Sequence, residues 1–265
     1  PGSTFKLVTA AAALEENKID AAGEIEDTGV INIGPYSYSN WYFTQYGRTE
    51  GRLNIVGAIK RSNDIFFYRL GEALGIRALS DWAKFFGLGK ATGIDLPGEA
   101  AGVMPEPEWK QTVRKEDWFL GDTLISAIGQ GDILMTPLQV NQMAGVIAAA
   151  GQWCRPHLVV LDNEDYCRQL DINSETIKLI TEGMSQVTQS GGTAFPFFNF
   201  PVSVAGKTGT AEFGDKDRTH AWFTGFAPTD QPKILVTVLL EGAGEGSSEA
   251  APVAKDLLAY WFSRQ

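Results

Sequence analysis

The chain has 265 residues, 44% of them apolar and 20% charged, with 29 glycines and 12 prolines. This length and ordinary globular composition fit one large domain or two small ones, with a substantial core, and exclude wholesale disorder, a collagen-like repeat or a coiled coil. Its 22 basic and 32 acidic residues leave a formal net charge of −10, and no basic stripe forms, so nucleic acid is not an expected partner.

In chain order, residues 4–17 are rich in Ala and Leu and predict a helix beginning beside Pro1-Gly2-Ser3. Residues 18–52 carry Gly, Asn, Tyr and Ser clusters and predict loop with short strands. Between 53 and 74, Ile55, Val56, Ile59, Phe66, Phe67 and Leu70 recur at helical spacing. Gly75 and Gly87 bracket a further helix over 76–86. Residues 88–118 predict a long, ordered surface loop. A short helix over 121–128 precedes Gly129-Gln130-Gly131, and 137–150 predicts a buried helix with Pro137 in its first turn. Asn173 opens another helix as its cap. The last third turns to β-rich runs over 202–205, 221–226 and 233–240, closed by an amphipathic helix over 251–262. Helices followed by sequential strands predict an α+β fold, with helices packed on an antiparallel sheet.

No apolar stretch is long enough to span a bilayer; 143–151 is among the longest. No secretory signal is visible. Cys154 and Cys167 read as two free, partly buried thiols, with one disulfide as the alternative. With only His157 and His220 available, neither a His/Cys zinc site nor a Ser-His-Asp triad in the first half is expected. Both histidines are expected to be structural. Most aromatic residues, among them Trp109, Trp118, Phe195, Phe197 and Phe198, are expected in the core.

Three short motifs carry chemistry. In Ser3-Thr4-Phe5-Lys6, a hydroxyl and an amine share one helical face a turn apart. Serine needs a base to become a nucleophile, and lysine can be that base only if burial or another cation lowers its pKa. Ser62-Asn63-Asp64 interrupts an apolar helical pattern with polar residues that favour turns and caps. Lys207-Thr208-Gly209-Thr210 follows an apolar run, and its Lys, hydroxyls and glycine suit a carboxylate ligand approaching a strand. Each motif alone reads more simply as a cap, a polar turn or a blunted strand edge.

In this order the three resemble the Ser-x-x-Lys, Ser-Asp-Asn and Lys-Thr-Gly set of β-lactamases and penicillin-binding proteins. Further segments narrow the likeness: Ser62-Asn63-Asp64-Ile65-Phe66-Phe67-Tyr68, Leu96-Pro97-Gly98-Glu99, Gly102-Val103-Met104-Pro105 and Ile128-Gly129-Gln130-Gly131. Thr136-Pro137-Leu138-Gln139 and His220-Ala221-Trp222-Phe223-Thr224-Gly225 add to it. Across essentially its whole length, the chain resembles the class B, elongation-type transpeptidase domain of penicillin-binding proteins.

The resemblance implies a single transpeptidase domain over 1–265, with the penicillin-recognising fold of an antiparallel sheet flanked by helices. It also implies sheet strands and a membrane-anchored region preceding the serine helix, so this chain is expected to be a fragment of a longer protein. Ser3 is implied as nucleophile on the D-Ala-D-Ala bond of a peptidoglycan stem peptide, Lys6 as its base, and Ser62 as proton relay with Lys207. Asp64, standing where other branches carry Asn, is implied to orient Lys6, although an ionised carboxylate favours protonated lysine. Thr208, Gly209 and Thr210 are implied in substrate binding, with the N–H groups of Ser3 and Thr210 as oxyanion hole. The donor is expected to add as a strand beside the Lys207 strand, and residues 191–200 to wall the groove. β-Lactams are implied as covalent inhibitors, a membrane glycosyltransferase as partner, and the extracytoplasmic face as location. No metal or organic cofactor is implied. Alternative readings are a serine β-lactamase or β-lactam sensor, a carboxypeptidase, and a non-catalytic cell-wall scaffold.

Overall fold

A 3-10 turn, Gly2–Phe5, leads into α1, Lys6–Glu15, whose small alanines are buried on every side. A helix apolar all round belongs in the middle of a domain, and α1 packs against the later helices there. The computed structural model describes residues 1–159, 166–214 and 218–264.

An excursion follows α1. It consists of β1 (Ile25–Asp27), the hairpin β2 (Val30–Ile33) and β3 (Tyr36–Ser39), α2 (Trp41–Tyr46), and β4 (Gly51–Leu53), which pairs antiparallel with β1. The single helical pattern expected over 53–74 is divided. Helix α3, Ile55–Arg61, starts at Asn54, whose side chain accepts from Gly57 N, and stops at Ser62 in the left-handed region. Asn63 then caps α4, Asp64–Phe85, by accepting from Phe66 N. The polar trio thus breaks the helix because its side chains satisfy the orphaned amides of a new one. Gly75, at φ 75° and ψ 162°, breaks α4 where the sequence predicts a boundary.

The segment expected to be loop over 88–118 contains α5, Pro107–Val113, with Pro107 in its first turn. Helix α6 spans Leu120–Ala127. Helix α7, Pro137–Ala148, opens with a reciprocal cap between Thr136 and Gln139. Gln139 Nε2 also donates to Lys90 O and Ala101 O, which fixes the loop preceding α5.

Strands β5, Gln152–Cys154, and β6, Cys167–Gln169, pair antiparallel with Cys154 opposite Cys167. These two cysteines are joined in a disulfide, with Cys167 exposed. The expectation of free, partly buried thiols is therefore wrong. The cross-strand register that makes them neighbours is invisible in a 13-residue sequence separation.

Helix α8, Ser174–Val187, is capped by Asn173 as expected, through Glu175 N. The main sheet of the described residues has the order β7 (Ala205–Glu212), β8 (Thr219–Ala227), β9 (Ile234–Leu240), all antiparallel. The strand expected over 202–205 lies instead over the Lys-Thr-Gly-Thr motif. Pairing along all of β8 overrides the poor strand propensity of its glycines and lysine. Phe223 stacks on Phe197 on one face, while the next residue, Thr224, bonds Thr237 on the other, where Asn141 of α7 also reaches. Helix α9, Ala251–Ser263, packs on β8 and β9. Of the aromatic residues expected in the core, Phe197 is buried, whereas Trp109 and Trp118 are half-buried and Phe195 and Phe198 are exposed.

Close approach of α4 to α6 depends on Gly71, where an added Cβ stands 2.5 Å from Ala127 Cβ. Overpacking of this kind costs about 1–3 kcal/mol. Gly71→Ala is expected to lower unfolding stability by that amount in denaturant titrations, with Ala127→Gly restoring part of it. An unchanged midpoint for the single variant refutes this account of the helix contact.

Candidate active site

Four separate elements deliver the polar side chains. The 3-10 turn supplies Ser3, the first turn of α1 supplies Lys6, the α3–α4 break supplies Ser62 and Asp64, and β7 supplies Lys207. Lys6 and Lys207 are both fully buried. Lys6 Nζ donates to Asp64 Oδ1 at 2.7 Å, to Ser62 O at 2.7 Å and to Ser62 Oγ at 3.3 Å. Lys207 Nζ donates to the same Ser62 Oγ at 2.8 Å and to Thr208 O at 3.0 Å. One hydroxyl therefore sits between two amines. Among the described residues, no hydrogen bond joins the Ser3 hydroxyl to Lys6, whose Nζ contacts Ser62 and Asp64 instead.

Electrostatics follow from this burial. Loss of water pushes the Lys6 ammonium below its ordinary value, and the Asp64 carboxylate pulls it back up without reversing the direction. Lys207 is driven well below the ordinary value, first by burial and then by the positive charge of Lys6, with Asp64 opposing.

Ser62 adopts φ 53° and ψ 38°, a left-handed conformation that is uncommon for a non-glycine residue. Strain of this sort persists only where neighbours enforce it. Here Trp41 Nε1 donates to Arg61 O, and Asn63 Nδ2 donates to Glu50 Oε2, which holds the residues on both sides of Ser62. Glu50 also pairs with Arg61.

Asp64 is oriented by residues the sequence reading passed over. Its Oδ2 accepts from Trp41 N at 2.9 Å, and its N–H donates to Asn40 Oδ1 at 3.1 Å. Buried Asn40 in turn donates to buried Asp27, which also accepts from the Gly29 and Glu50 amides. The only signal in sequence is a short polar residue at 27 and another at 40 within a segment that reads as loop.

On β7, Thr208 Oγ1 lies 2.7 Å from Thr193 Oγ1, so residues 191–200 do flank this strand. That segment is fastened by Arg61 Nη1 on Gly191 O and by the Phe197–Phe223 stack. Thr210 Oγ1 accepts from Gly246 N at 3.3 Å. Gly209 departs from its expected role. The space where its Cβ would stand is taken by Pro1 O at 2.8 Å and Thr4 at 3.0 Å, so its small size lets the serine turn approach the strand rather than admitting a ligand. Gln130 Nε2 donates to Thr210 O at 2.8 Å, and Gln130 Oε1 accepts from Glu212 N at 3.1 Å. These bonds place the even-numbered backbone groups of this stretch, Thr210 N–H included, on the edge turned away from β8. His220 lies in β8, stacked on Phe213 and accepting from Gly242 N, and exposed His157 contacts Val159 O.

The profile of the penicillin binding protein transpeptidase domain matches residues 1–259. The chain belongs to that family. It is 37% identical to the peptidoglycan D,D-transpeptidase MrdA of Haemophilus influenzae, covering 100% of this chain and 44% of that protein. Among solved structures, it resembles Pseudomonas aeruginosa PBP2 in complex with WCK 5153 at 36% identity and a TM-score of 0.89, covering 98% of this chain and 60% of that one. It matches Helicobacter pylori PBP2, solved with MreC, at 33% identity and a TM-score of 0.89, covering 100% of this chain and 50% of that one. The chain thus spans less than half the length of the MrdA relative. The family likeness extends to the fold, α+β with helices on an antiparallel sheet.

A buried lysine held below its ordinary pKa costs stability. The unfolded chain binds more protons between the folded-state value and about 10.5, so stability rises with pH across that interval. Lys207→Met is expected to unfold at a higher temperature than the parent at pH 7, by an equivalent of about 1–4 kcal/mol. The gap should close as pH approaches the ordinary lysine value. A less stable variant at pH 7 overturns this reading of the buried amine.

Proposed function

We propose that residues 1–265 form one transpeptidase domain that cross-links peptidoglycan stem peptides through a serine acyl-enzyme. The observation that carries this reading is the Ser62 hydroxyl shared by two buried amines, one of them a single turn from Ser3.

In this reading Ser3 Oγ attacks the carbonyl between the two terminal D-alanines, and its proton passes to neutral Lys6. The new C–O bond forms as the C–N bond breaks. Ser62 hands a proton to the departing D-alanine amine and is resupplied across its contacts with Lys6 and Lys207. The N–H groups of Ser3 and Thr210 receive the developing oxyanion; loss of one such donor typically costs about a hundredfold or more in rate. Thr208 and Thr210 take the terminal carboxylate, with Lys207 beneath them as a nearby positive charge when protonated. An amine from a neighbouring stem then attacks the ester, forms the cross-linking amide and returns Ser3. β-Lactams acylate the same oxygen. Asp64 acts by holding Lys6 on the Ser62 side of the cluster.

Placement outside the cytoplasm is supported by the Cys154–Cys167 disulfide, a bond that persists in oxidising compartments. The H. pylori relative was solved with MreC, which favours a partner of that kind here. A membrane glycosyltransferase remains the partner implied by the sequence resemblance.

Intact mass after incubation with benzylpenicillin, followed over hours, tests the central claim. A stable adduct absent from Ser3→Ala is expected. An adduct that quickly hydrolyses points to β-lactamase chemistry, and none at all points to a non-catalytic scaffold. A second prediction concerns Asp64→Asn. Removing the carboxylate removes the influence that raises Lys6, so the acid limb of the acylation pH profile should move to lower pH. The plateau should fall by about a hundredfold through lost positioning. A shift toward higher pH refutes Lys6 as the base.

A further inference from the structure

The Gly129-Gln130-Gly131 segment is used by none of the steps above, yet it touches the strand on which the donor is placed. Gly129 and Gly131 both have positive φ, 74° and 75°. Gly129 O accepts from Gly2 N at 2.9 Å, and Gln130 N donates to Ile125 O at 3.1 Å. The backbone of this turn is therefore fixed against both the serine turn and the end of α6, while the Gln130 side chain projects onto β7. Its amide makes the paired bonds of a neighbouring strand: the NH2 group to Thr210 O and the carbonyl to Glu212 N–H. The chemistry forces this orientation, because only the nitrogen donates and only the oxygen accepts.

We propose that Gln130 is a specificity residue, whose side-chain amide mimics the N–H and C=O pair of one strand residue on the donor edge of β7. This rests on the transpeptidase reading, in which the donor adds as a strand along that edge. Glu212 has one amide hydrogen, so a donor carbonyl can pair there only after Gln130 Oε1 has left. Thr210 O likewise offers its strand-pairing direction to one N–H at a time. A donor whose amide N–H reaches Thr210 O replaces that bond, and one whose adjoining peptide carbonyl also reaches Glu212 N–H replaces both and loses nothing. A ligand without that amide leaves the glutamine in place and gains nothing from the edge. Gln130 thereby covers a row of backbone groups that would otherwise invite any extended chain, and it makes the amide next to the scissile unit the requirement for entry. Only side-chain torsions need change, since the backbone on either side is pinned.

The test compares benzylpenicillin, which carries a side-chain amide beside its β-lactam ring, with sulbactam, which has none. Second-order acylation rates are measured on the 265-residue chain and on Gln130→Met, which keeps length and loses the amide. The benzylpenicillin rate is expected to rise about fivefold, the equivalent of one net hydrogen bond of about 1 kcal/mol, while the sulbactam rate stays within about twofold. Gln130→Asn, one methylene too short to span both groups, should change the ratio in the same direction and serves if the Met variant misfolds. A ratio that is unchanged, or that falls, overturns the inference while leaving the transpeptidase reading intact. Absence of a Ser3 adduct in the unsubstituted chain overturns both.

Discussion

Two amines converge on one buried hydroxyl, and much of the fold exists to make that arrangement tolerable. Two ammonium groups in a dry interior repel and lose their hydration, so the cluster is stable only if at least one amine gives up its proton readily. Asp64 supplies one compensating charge. Backbone carbonyls of Ser62 and Thr208 supply further acceptors. Nothing local to any one segment could assemble these groups. The serine turn, the α3–α4 break and β7 each contribute a part, and α1, α4 and α8 hold them together.

Ser3, Lys6, Ser62, Asp64 and Lys207 were legible because their chemistry is written in short contiguous motifs. The break at Ser62 was legible as an anomaly, a polar trio inside an apolar helical pattern, although its cause was a cap. What escaped were interactions whose partners lie far apart in sequence. Asn40 acquires its role from Asp64, 24 residues on, and Gln130 acquires its role from Thr210, 80 residues on. The Cys154–Cys167 bond depends on strand register, which spacing alone does not specify. Strand β7 is not legible at its true place because Gly and Lys are weak strand formers, and pairing with β8 makes them one.

Gly209 illustrates the same limit from the other side. A glycine in a binding motif invites the reading that a ligand approaches it, whereas here the approaching backbone is the chain's own. Pro1 and Thr4 fill the space, which sets how closely the Ser3 turn lies against the strand. The motif is thus partly a packing code, and its glycine permits the close approach of the serine turn to the strand.

The hydrogen-bonded line from Asp27 through Asn40 to Asp64 gives the 25–53 excursion a significance beyond architecture. Residues there are bonded to Asp64 and to the residues flanking Ser62, and through Asp64 they bear on where the Lys6 amine rests. Under the transpeptidase reading, inherited variation in that excursion retunes how fast a drug is captured while the drug's own contact surface stays unaltered. On that reading, surveillance of resistance that reads only the ligand-facing residues would overlook this part of the gene.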